Sequence, residues 1–151
     1  MIKILTFQNK KEEKFLRGKA EAFDFGKFKK VDIQDLIKKM NRLMVDAHGI
    51  GLAANQVGMD FQVFIARVDR KFYAVFNTEI TKYSKEKISA EEGCLSVPDV
   101  VGHVLRPEKV TLEGYDRNGK KIKIKAWGVL ARVFQHEVDH LNGKLFIDRV
   151  K

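Results

Sequence analysis

The feature that most limits how this chain can fold is a pair of histidines near its C-terminal end. His136 and His140 are four residues apart, and on a helix that spacing puts both side chains on one face, one turn apart. The surrounding pattern predicts a helix over about residues 129–141 that stops at Asn142 and Gly143. Apolar side chains share the face of the histidines: Val133, Phe134 and Leu141. This face should therefore turn inward, with the rest of the chain packed around the helix.

The same face carries chemistry, because residues 136–140 read His-Glu-Val-Asp-His. Two imidazoles one turn apart can converge on one metal ion, and Glu137 beside them can reach a water at that ion without being a ligand. The alternative is a helix with exposed histidines, since the pattern also arises by chance. Burial favours the metal, because one cation satisfies three polar groups that would otherwise each need a separate partner.

The candidate for a third ligand is Cys94, the only cysteine of the chain. A catalytic metal site uses three protein ligands and keeps one position open for water. Gly93 precedes the cysteine and Pro98 follows four residues later, so we expect an irregular segment with accessible backbone N–H groups. The alternative is a small buried apolar side chain, the usual role of an isolated cysteine. A single cysteine also excludes an internal disulfide framework and is typical of a reducing compartment.

A glycine-rich segment, GIGLAANQVG, covers residues 49–58. Its glycines allow the backbone to approach a ligand closely, and Gln56 offers an amide donor. The segment lacks the Gly-Lys-Ser/Thr ending of a phosphate-binding loop, which disfavours nucleotide binding.

An amphipathic helix is predicted before this segment. From Ile33 to Ala47, apolar residues recur every three or four positions. Asp32 is the expected N-cap of this helix, and Gly49 is the expected terminator after His48.

Two pairs of strands are predicted further along the chain. Residues 61–67 and 71–77 are rich in aromatic and β-branched residues, which predicts an antiparallel pair. Residues 109–115 and 121–126 flank the dipeptide Asn118-Gly119, a strong hairpin signal. The predicted fold class is α+β, with antiparallel strands packed around the C-terminal helix and one N-terminal helix.

The composition is that of a folded protein. The chain has 151 residues, of which 44% are hydrophobic and 32% charged, and we expect a single domain over residues 1–151. No stretch approaches the roughly 18 apolar residues of a membrane span, so we expect a soluble, cytoplasmic protein without a membrane partner. The net charge of +9 attracts polyanions, but the lysines are scattered, which disfavours nucleic-acid binding as the main function.

Three of these segments together resemble the signature motifs of the peptide deformylases, and they follow in that family's order. The segments are residues 49–58, residues 92–96 (EGCLS) and residues 135–141 (QHEVDHL). The resemblance implies hydrolysis of the N-formyl group from the N-terminal methionine of nascent polypeptides, with release of formate. It also implies one divalent metal per chain, with Fe²⁺ as the native ion and Zn²⁺, Ni²⁺ or Co²⁺ as replacements.

The resemblance also implies a role for individual residues. The implied metal ligands are Cys94, His136 and His140. Glu137 would be the general acid and base, and Gln56 and the backbone N–H of Leu95 would face the developing oxyanion. Gly51 would align the substrate as a strand. The full set of implied substrate-binding residues is Gly49, Ile50, Gly51, Val129, Arg132 and Val133.

Two residues depart from the family pattern near the expected substrate site. Val101 stands where the family usually has an arginine or tyrosine that holds the peptide, so we expect weaker or altered peptide binding. Arg132 precedes His136 by one turn, and its guanidinium is expected either to narrow or polarise the methionine pocket, or instead to extend to solvent. We also expect an ion pair between Arg106 and Asp139 that steadies the helix behind the ligands.

The chain ends at Lys151, where many family members continue into a C-terminal helix that assists docking at the ribosome. We expect the basic surface to make salt-dependent contact with ribosomal RNA instead, and the protein to be a monomer. Two alternatives stay open. One is a metal-dependent deacylase of a different N-acylated amine or peptide. The other is a non-enzymatic basic module with a structural metal, for which His48 or His103 would be the fourth ligand.

Overall fold

The computed structural model describes residues 2–150, and within them it contains three α-helices and seven β-strands. The helices are Lys10–Leu16 (α1), Lys30–Asp46 (α2) and Gly128–Leu141 (α3). The strands are Gly51–Ala53 (β1), Val63–Val68 (β2), Lys71–Tyr83 (β3), Lys87–Cys94 (β4), Val97–Pro107 (β5), Lys109–Tyr115 (β6) and Lys121–Trp127 (β7). Short 3₁₀ turns cover Phe25–Lys27, Ala54–Val57 and Phe146–Arg149.

The strands form two antiparallel sheets. The larger sheet has the order β1-β2-β3-β6-β7, while β4 and β5 form a separate two-stranded sheet. The predicted α+β class is confirmed. Helix α1 and the β4–β5 hairpin are elements that the periodicity of the sequence did not predict.

Strand β2 shows how the larger sheet lies between two helices. Phe64 packs in one core cluster with Phe134 of α3, and its neighbour Ile65 packs in a second cluster with Met40 of α2. Successive side chains of a strand point to opposite faces, so α3 and α2 cover opposite faces of the sheet. Phe64 and Ile65 are fully buried, and each contributes roughly 1.5–3 kcal/mol by burial.

A third apolar cluster attaches the β4–β5 hairpin to the rest of the molecule. Its buried members come from the hairpin, from α1 and from the C-terminal segment: Leu16, Val97, Val104, Leu145 and Phe146. No strand ladder joins the hairpin to the larger sheet, so this apolar cluster contributes to its attachment, beside a backbone hydrogen bond of 2.9 Å from Phe7 to the Ser96 carbonyl.

Helix α2 begins earlier than expected. Asp32 is the third helical residue and not the N-cap, and its carboxylate accepts a hydrogen bond of 3.0 Å from the backbone N–H of Lys29. The expected N-cap was therefore wrong, because Asp32 closes the first turn from inside the helix. At the other end, His48 adopts a positive φ of 60° and the N–H of Gly49 bonds to the Met44 carbonyl, which ends the helix.

Both predicted hairpins are confirmed. The β2–β3 turn places Asp69 and Arg70 at positive φ, and β3 continues to Tyr83, beyond the predicted end. In the β6–β7 turn only Gly119 has a positive φ, because Asp116 accepts the N–H groups of Asn118 and Lys120 and closes a longer turn.

Helix α3 lies close to its predicted bounds and ends before Gly143, which has a φ of 79°. Its buried residues include Phe134, Glu137 and His140, so the inward orientation of the histidine face is confirmed. None of the helices in residues 2–150 has the length and apolar character needed to cross a membrane.

Candidate active site

The sulfur of Cys94 and one nitrogen of each histidine meet between β4 and α3. The Nε2 atom of His140 lies 3.2 Å from the Sγ of Cys94 and 3.2 Å from the Nε2 of His136. The three possible ligand atoms all lie within 4.8 Å of one another. Bonds of about 2.0–2.3 Å from nitrogen and sulfur to one cation give separations of this size. The donor set and its spacing therefore fit a divalent metal.

The cysteine reaches this point from the tip of a β-hairpin. Cys94 is the last residue of β4 and pairs with Val97, the first residue of β5. The expectation of an irregular segment is confirmed in part: Cys94 itself is paired, but the strand register shifts between Gly93, which pairs with Val101, and the cysteine. The turn still points a backbone donor at the sulfur, because the N–H of Ser96 lies 3.4 Å from Sγ.

Glu92 orients the first histidine. Its Oε1 lies 2.9 Å from the Nδ1 of His136, which leaves Nε2 of that ring for the metal. Arg106 binds both oxygens of the same carboxylate through its Nε and Nη2 atoms, at 2.5 and 2.9 Å. Burial alone would raise the pKa of Glu92, but the hydrogen bonds from His136 and Arg106 outweigh burial and lower the pKa to about 2. The carboxylate is therefore ionised at neutral pH.

The pKa values of the two histidines shift in opposite directions. Burial lowers the pKa of His140 well below its ordinary value, so its imidazole is neutral and offers a lone pair. Burial also opposes the charged form of His136, but hydrogen bonds with Cys94 and Glu92 outweigh it and raise the pKa to about 10. A proton and a metal compete for the same nitrogen, so metal binding at this site releases the proton.

Glu137 lies beside the ligands in a buried position. Its side chain is 3% exposed, and among the described residues its Oε1 has no hydrogen-bond partner. Burial raises the pKa of Glu137 to about 7, which suits a group that accepts and returns a proton near neutral pH. Gly51 makes room for this carboxylate, because a Cβ there would lie 2.5 Å from Oε2.

Gln56 faces the metal ligands from the 3₁₀ turn after β1. Its Nε2 lies 3.5 Å from the Sγ of Cys94 and donates to the hydroxyl of Ser96 at 3.0 Å. Its Oε1 accepts the N–H of Ala53 at 2.9 Å, which fixes the amide. Leu95, directly after the cysteine, lines the same cavity as Gln56.

A cavity of about 840 Å³ opens onto the site, and Cys94, His136 and Glu137 form part of its wall. Every residue expected to bind substrate lines it: Gly49, Ile50, Gly51, Val129, Arg132 and Val133. His140 does not line the cavity, because it is fully buried behind it. The sequence analysis missed an apolar part of the wall that β4, β5 and their connection supply: Ile88, Ala90, Pro98 and Val100.

The two residues that depart from the family pattern both line the cavity. Val101 is 63% exposed. The guanidinium of Arg132 does not extend to solvent, because its side chain is only 17% exposed. It binds the carboxylate of Glu92 and the backbone carbonyls of Ile88 and Val104.

The predicted ion pair behind the histidines is confirmed. Arg106 Nη1 lies 2.9 Å from Asp139 Oδ2, and Arg149 binds the same carboxylate at 2.7 and 3.0 Å. In the part of the chain that the structure describes, neither His48 nor His103 belongs to the cluster of possible metal ligands. Three protein ligands are typical of a catalytic metal site, whereas structural sites usually have four.

The polypeptide deformylase family model matches residues 1–151. The chain belongs to this family. It is 48% identical to the peptide deformylase of Treponema pallidum (strain Nichols) over 118 residues, which are 78% of this chain and 73% of the relative.

Solved peptide deformylase structures have the same fold. The Thermotoga maritima enzyme has a TM-score of 0.90 and 35% identity, with 100% of this chain and 98% of that chain covered. The class I type b enzyme of Acinetobacter baumannii has a TM-score of 0.92 and 31% identity, with 99% of each chain covered. Peptide deformylases are metal-dependent hydrolases that remove the N-formyl group from nascent peptides, and this chain is a hydrolase of that class.

Proposed function

We propose that this chain deformylates N-formylmethionyl peptides at one divalent metal held by Cys94, His136 and His140. The observation that carries the proposal is the meeting of three ligand atoms within 4.8 Å beside the buried Glu137. A metal bound there would supply a water of near-neutral pKa and polarise the formyl oxygen. We propose Fe²⁺ as the native ion, with Zn²⁺, Ni²⁺ or Co²⁺ as replacements. The thiolate ligand should make the Fe²⁺ form sensitive to air.

Glu137 carries the proton in this proposal. Its carboxylate takes a proton from the attacking water as the water oxygen bonds to the formyl carbon. The same group then delivers that proton to the amide nitrogen as the C–N bond breaks, which yields formate and a free amine. A pKa of about 7 supports both steps at neutral pH, because neither form of the carboxyl group strongly dominates.

Two donors stabilise the oxyanion that forms on the formyl oxygen. They are the side-chain amide of Gln56 and the backbone N–H of Leu95. Gln56 is buried and its carbonyl oxygen is fixed by Ala53, so its N–H₂ group needs little reorganisation during the reaction. A donor of this kind contributes roughly 3 kcal/mol to transition-state stabilisation.

The edge of the larger sheet aligns the peptide. Strand β1 is an edge strand that pairs only with β2 within the described sheet. Gly51 therefore offers backbone groups to an extended substrate. Gly49 and Ile50 before it line the same cavity, but the N–H of Gly49 and the carbonyl of Ile50 already bond to Met44 and Arg67. Val129 and Val133 of α3 contribute apolar surface for the methionine side chain.

The proposal is tested by anaerobic purification with metal analysis, followed by a formate-release assay on formyl-Met-Ala-Ser. We expect one metal per chain, formate release by the wild type, and little release of acetate from the acetylated peptide. Glu137→Ala should keep the metal and lose about 10²- to 10⁴-fold in kcat. Preferential cleavage of the acetylated peptide would instead identify a different deacylase, and a chain that binds no metal would overturn the proposal.

We propose a monomer that contacts the ribosome through its basic surface. The net charge of +9 supports this contact through the release of counterions from ribosomal RNA. Co-sedimentation with ribosomes should therefore occur at about 50 mM salt and disappear at about 200 mM. Sedimentation that does not change with salt would contradict a charge-based contact.

A further inference from the structure

We propose that Arg132 is a positioning residue for the metal centre. Its guanidinium binds the β4–β5 hairpin to α3. The hairpin carries the cysteine ligand, and α3 carries both histidine ligands. This inference rests on the metal site proposed above, and it assigns Arg132 a role other than shaping the methionine pocket.

The guanidinium of Arg132 bridges three groups of the hairpin. Nη1 donates to Glu92 Oε2 at 2.6 Å and to the carbonyl of Val104 at 3.0 Å. Nη2 donates to the carbonyl of Ile88 at 2.6 Å. Ile88 and Glu92 belong to β4 and Val104 belongs to β5, so a single guanidinium group connects both strands to the helix.

This connection is important because Cys94 lies on the hairpin, whereas both histidine ligands lie on α3. The β4–β5 sheet is separate from the larger sheet, and Cys94 is at its tip. The distance from the sulfur to the imidazoles therefore depends on how the hairpin sits against α3. Arg132 is one turn before His136 on that helix, so it fixes the hairpin close to the ligands.

Arg132 also acts on the first histidine through Glu92. One oxygen of that carboxylate binds Arg132 while the other binds Nδ1 of His136. Arg106 holds the same carboxylate and is itself buried, so the charge of Glu92 stays compensated when Arg132 is removed. We therefore expect the loss of Arg132 to loosen the ligand geometry without unfolding the chain.

The engaged donors argue against a direct role in substrate binding. Three hydrogen bonds aim the guanidinium at the hairpin, and the side chain is only 17% exposed. Lysine cannot reproduce this role, because an ammonium group is a point charge without the planar fork that reaches several acceptors at fixed angles.

The test measures Zn²⁺ affinity of the metal-free chain by competition with a chromogenic chelator, without oxygen. We expect Arg132→Met to weaken affinity about 10- to 100-fold, and Arg132→Lys to weaken it by a smaller factor. Arg17→Met is the matched control, since Arg17 also joins two elements through a carboxylate, that of Asp148, but lies outside the Glu92 network. The control should bind Zn²⁺ as the wild type does.

Three further readouts separate the possible outcomes. Cooperative melting of the metal-free variants shows whether they fold. If Arg132→Met does not fold, the Zn²⁺ affinity of Arg132→Lys decides the test. The Co²⁺ form of the variant should show a weakened thiolate charge-transfer band. Wild-type Zn²⁺ affinity in the folded variant would overturn the inference, as would a change confined to KM for the formylated peptide. Failure of the wild type to bind Zn²⁺ would instead overturn the proposed function.

Discussion

Gly51 makes a close approach to the proposed proton carrier. A Cβ at this position would lie 2.5 Å from Oε2 and 3.0 Å from Cδ of Glu137. Glu137 is only 3% exposed, so its carboxylate can yield to this contact only by shifting within the site. We expect Gly51→Ala to displace it by about 1 Å and to lower kcat for formate release about 100-fold.

The same assay contains the control for this prediction. Gly18→Ala places a Cβ 3.4 Å from the carbonyl of Phe15, an ordinary contact remote from the site, and should leave kcat unchanged. Both variants should retain one metal per chain, because neither touches a ligand. A Gly51→Ala chain with wild-type kcat would show that the position of Glu137 tolerates the extra methyl group.

The sequence predicted residues of the site where the geometry is local. His136 and His140 share a face because a helix fixes residues four apart, whatever surrounds it. Glu92 acquires its role through contacts with α3 that no local rule specifies. Its position two residues before Cys94 puts both on one face of a strand, but this signal required recognising β4 first.

At the scale of elements, the two predicted hairpins differ in how well the residues of each turn suit the backbone conformation that they adopt. The β2–β3 turn holds Asp69 and Arg70 at φ of 52° and 67°, and Arg70 has no local reason to prefer this region. The β6–β7 turn places Gly119 at a φ of 78°, where glycine is at no disadvantage.

Arg70→Gly should therefore stabilise the chain. The left-handed conformation costs a non-glycine residue about 1–2 kcal/mol, and the extra freedom of glycine in the unfolded chain offsets about half of this. We expect a net gain of about 0.5–1 kcal/mol in the free energy of unfolding by urea. Gly119→Ala is the reciprocal control. Its Cβ would meet nothing closer than 3.7 Å, so the left-handed backbone conformation alone should cost about 1 kcal/mol in the free energy of unfolding. A destabilised Arg70→Gly chain would contradict the argument.

The β4–β5 hairpin was beyond sequence-based prediction for a physical reason. The only buried residue of β4 is Glu92, so the strand lacks the alternation of apolar and polar residues that reveals a half-buried strand. The β2–β3 and β6–β7 hairpins were found because their strands pack on the core and their turns carry recognisable residues.

At the scale of the whole molecule, three sets of contacts hold the β4–β5 hairpin in place. The first is the apolar cluster with Leu16 and Phe146, and the second is the ion network centred on Glu92. A metal bound by Cys94 on one side and by two histidines on the other would be the third. The hairpin should therefore be the region whose stability depends most on the metal.

Removing the metal should lower the melting temperature of the whole chain and expose this hairpin first. At free Zn²⁺ about 100-fold above Kd, binding adds about 2.7 kcal/mol, which corresponds to about 5–10 °C for a chain of this size. Hydrogen exchange should then show the largest loss of protection in residues 87–107, and little change in β2, where five of the six residues are buried. The His136→Ala chain lacks a ligand and should show no Zn²⁺-dependent shift. Equal melting temperatures with chelator and with Zn²⁺ would mean that the metal does not join these elements.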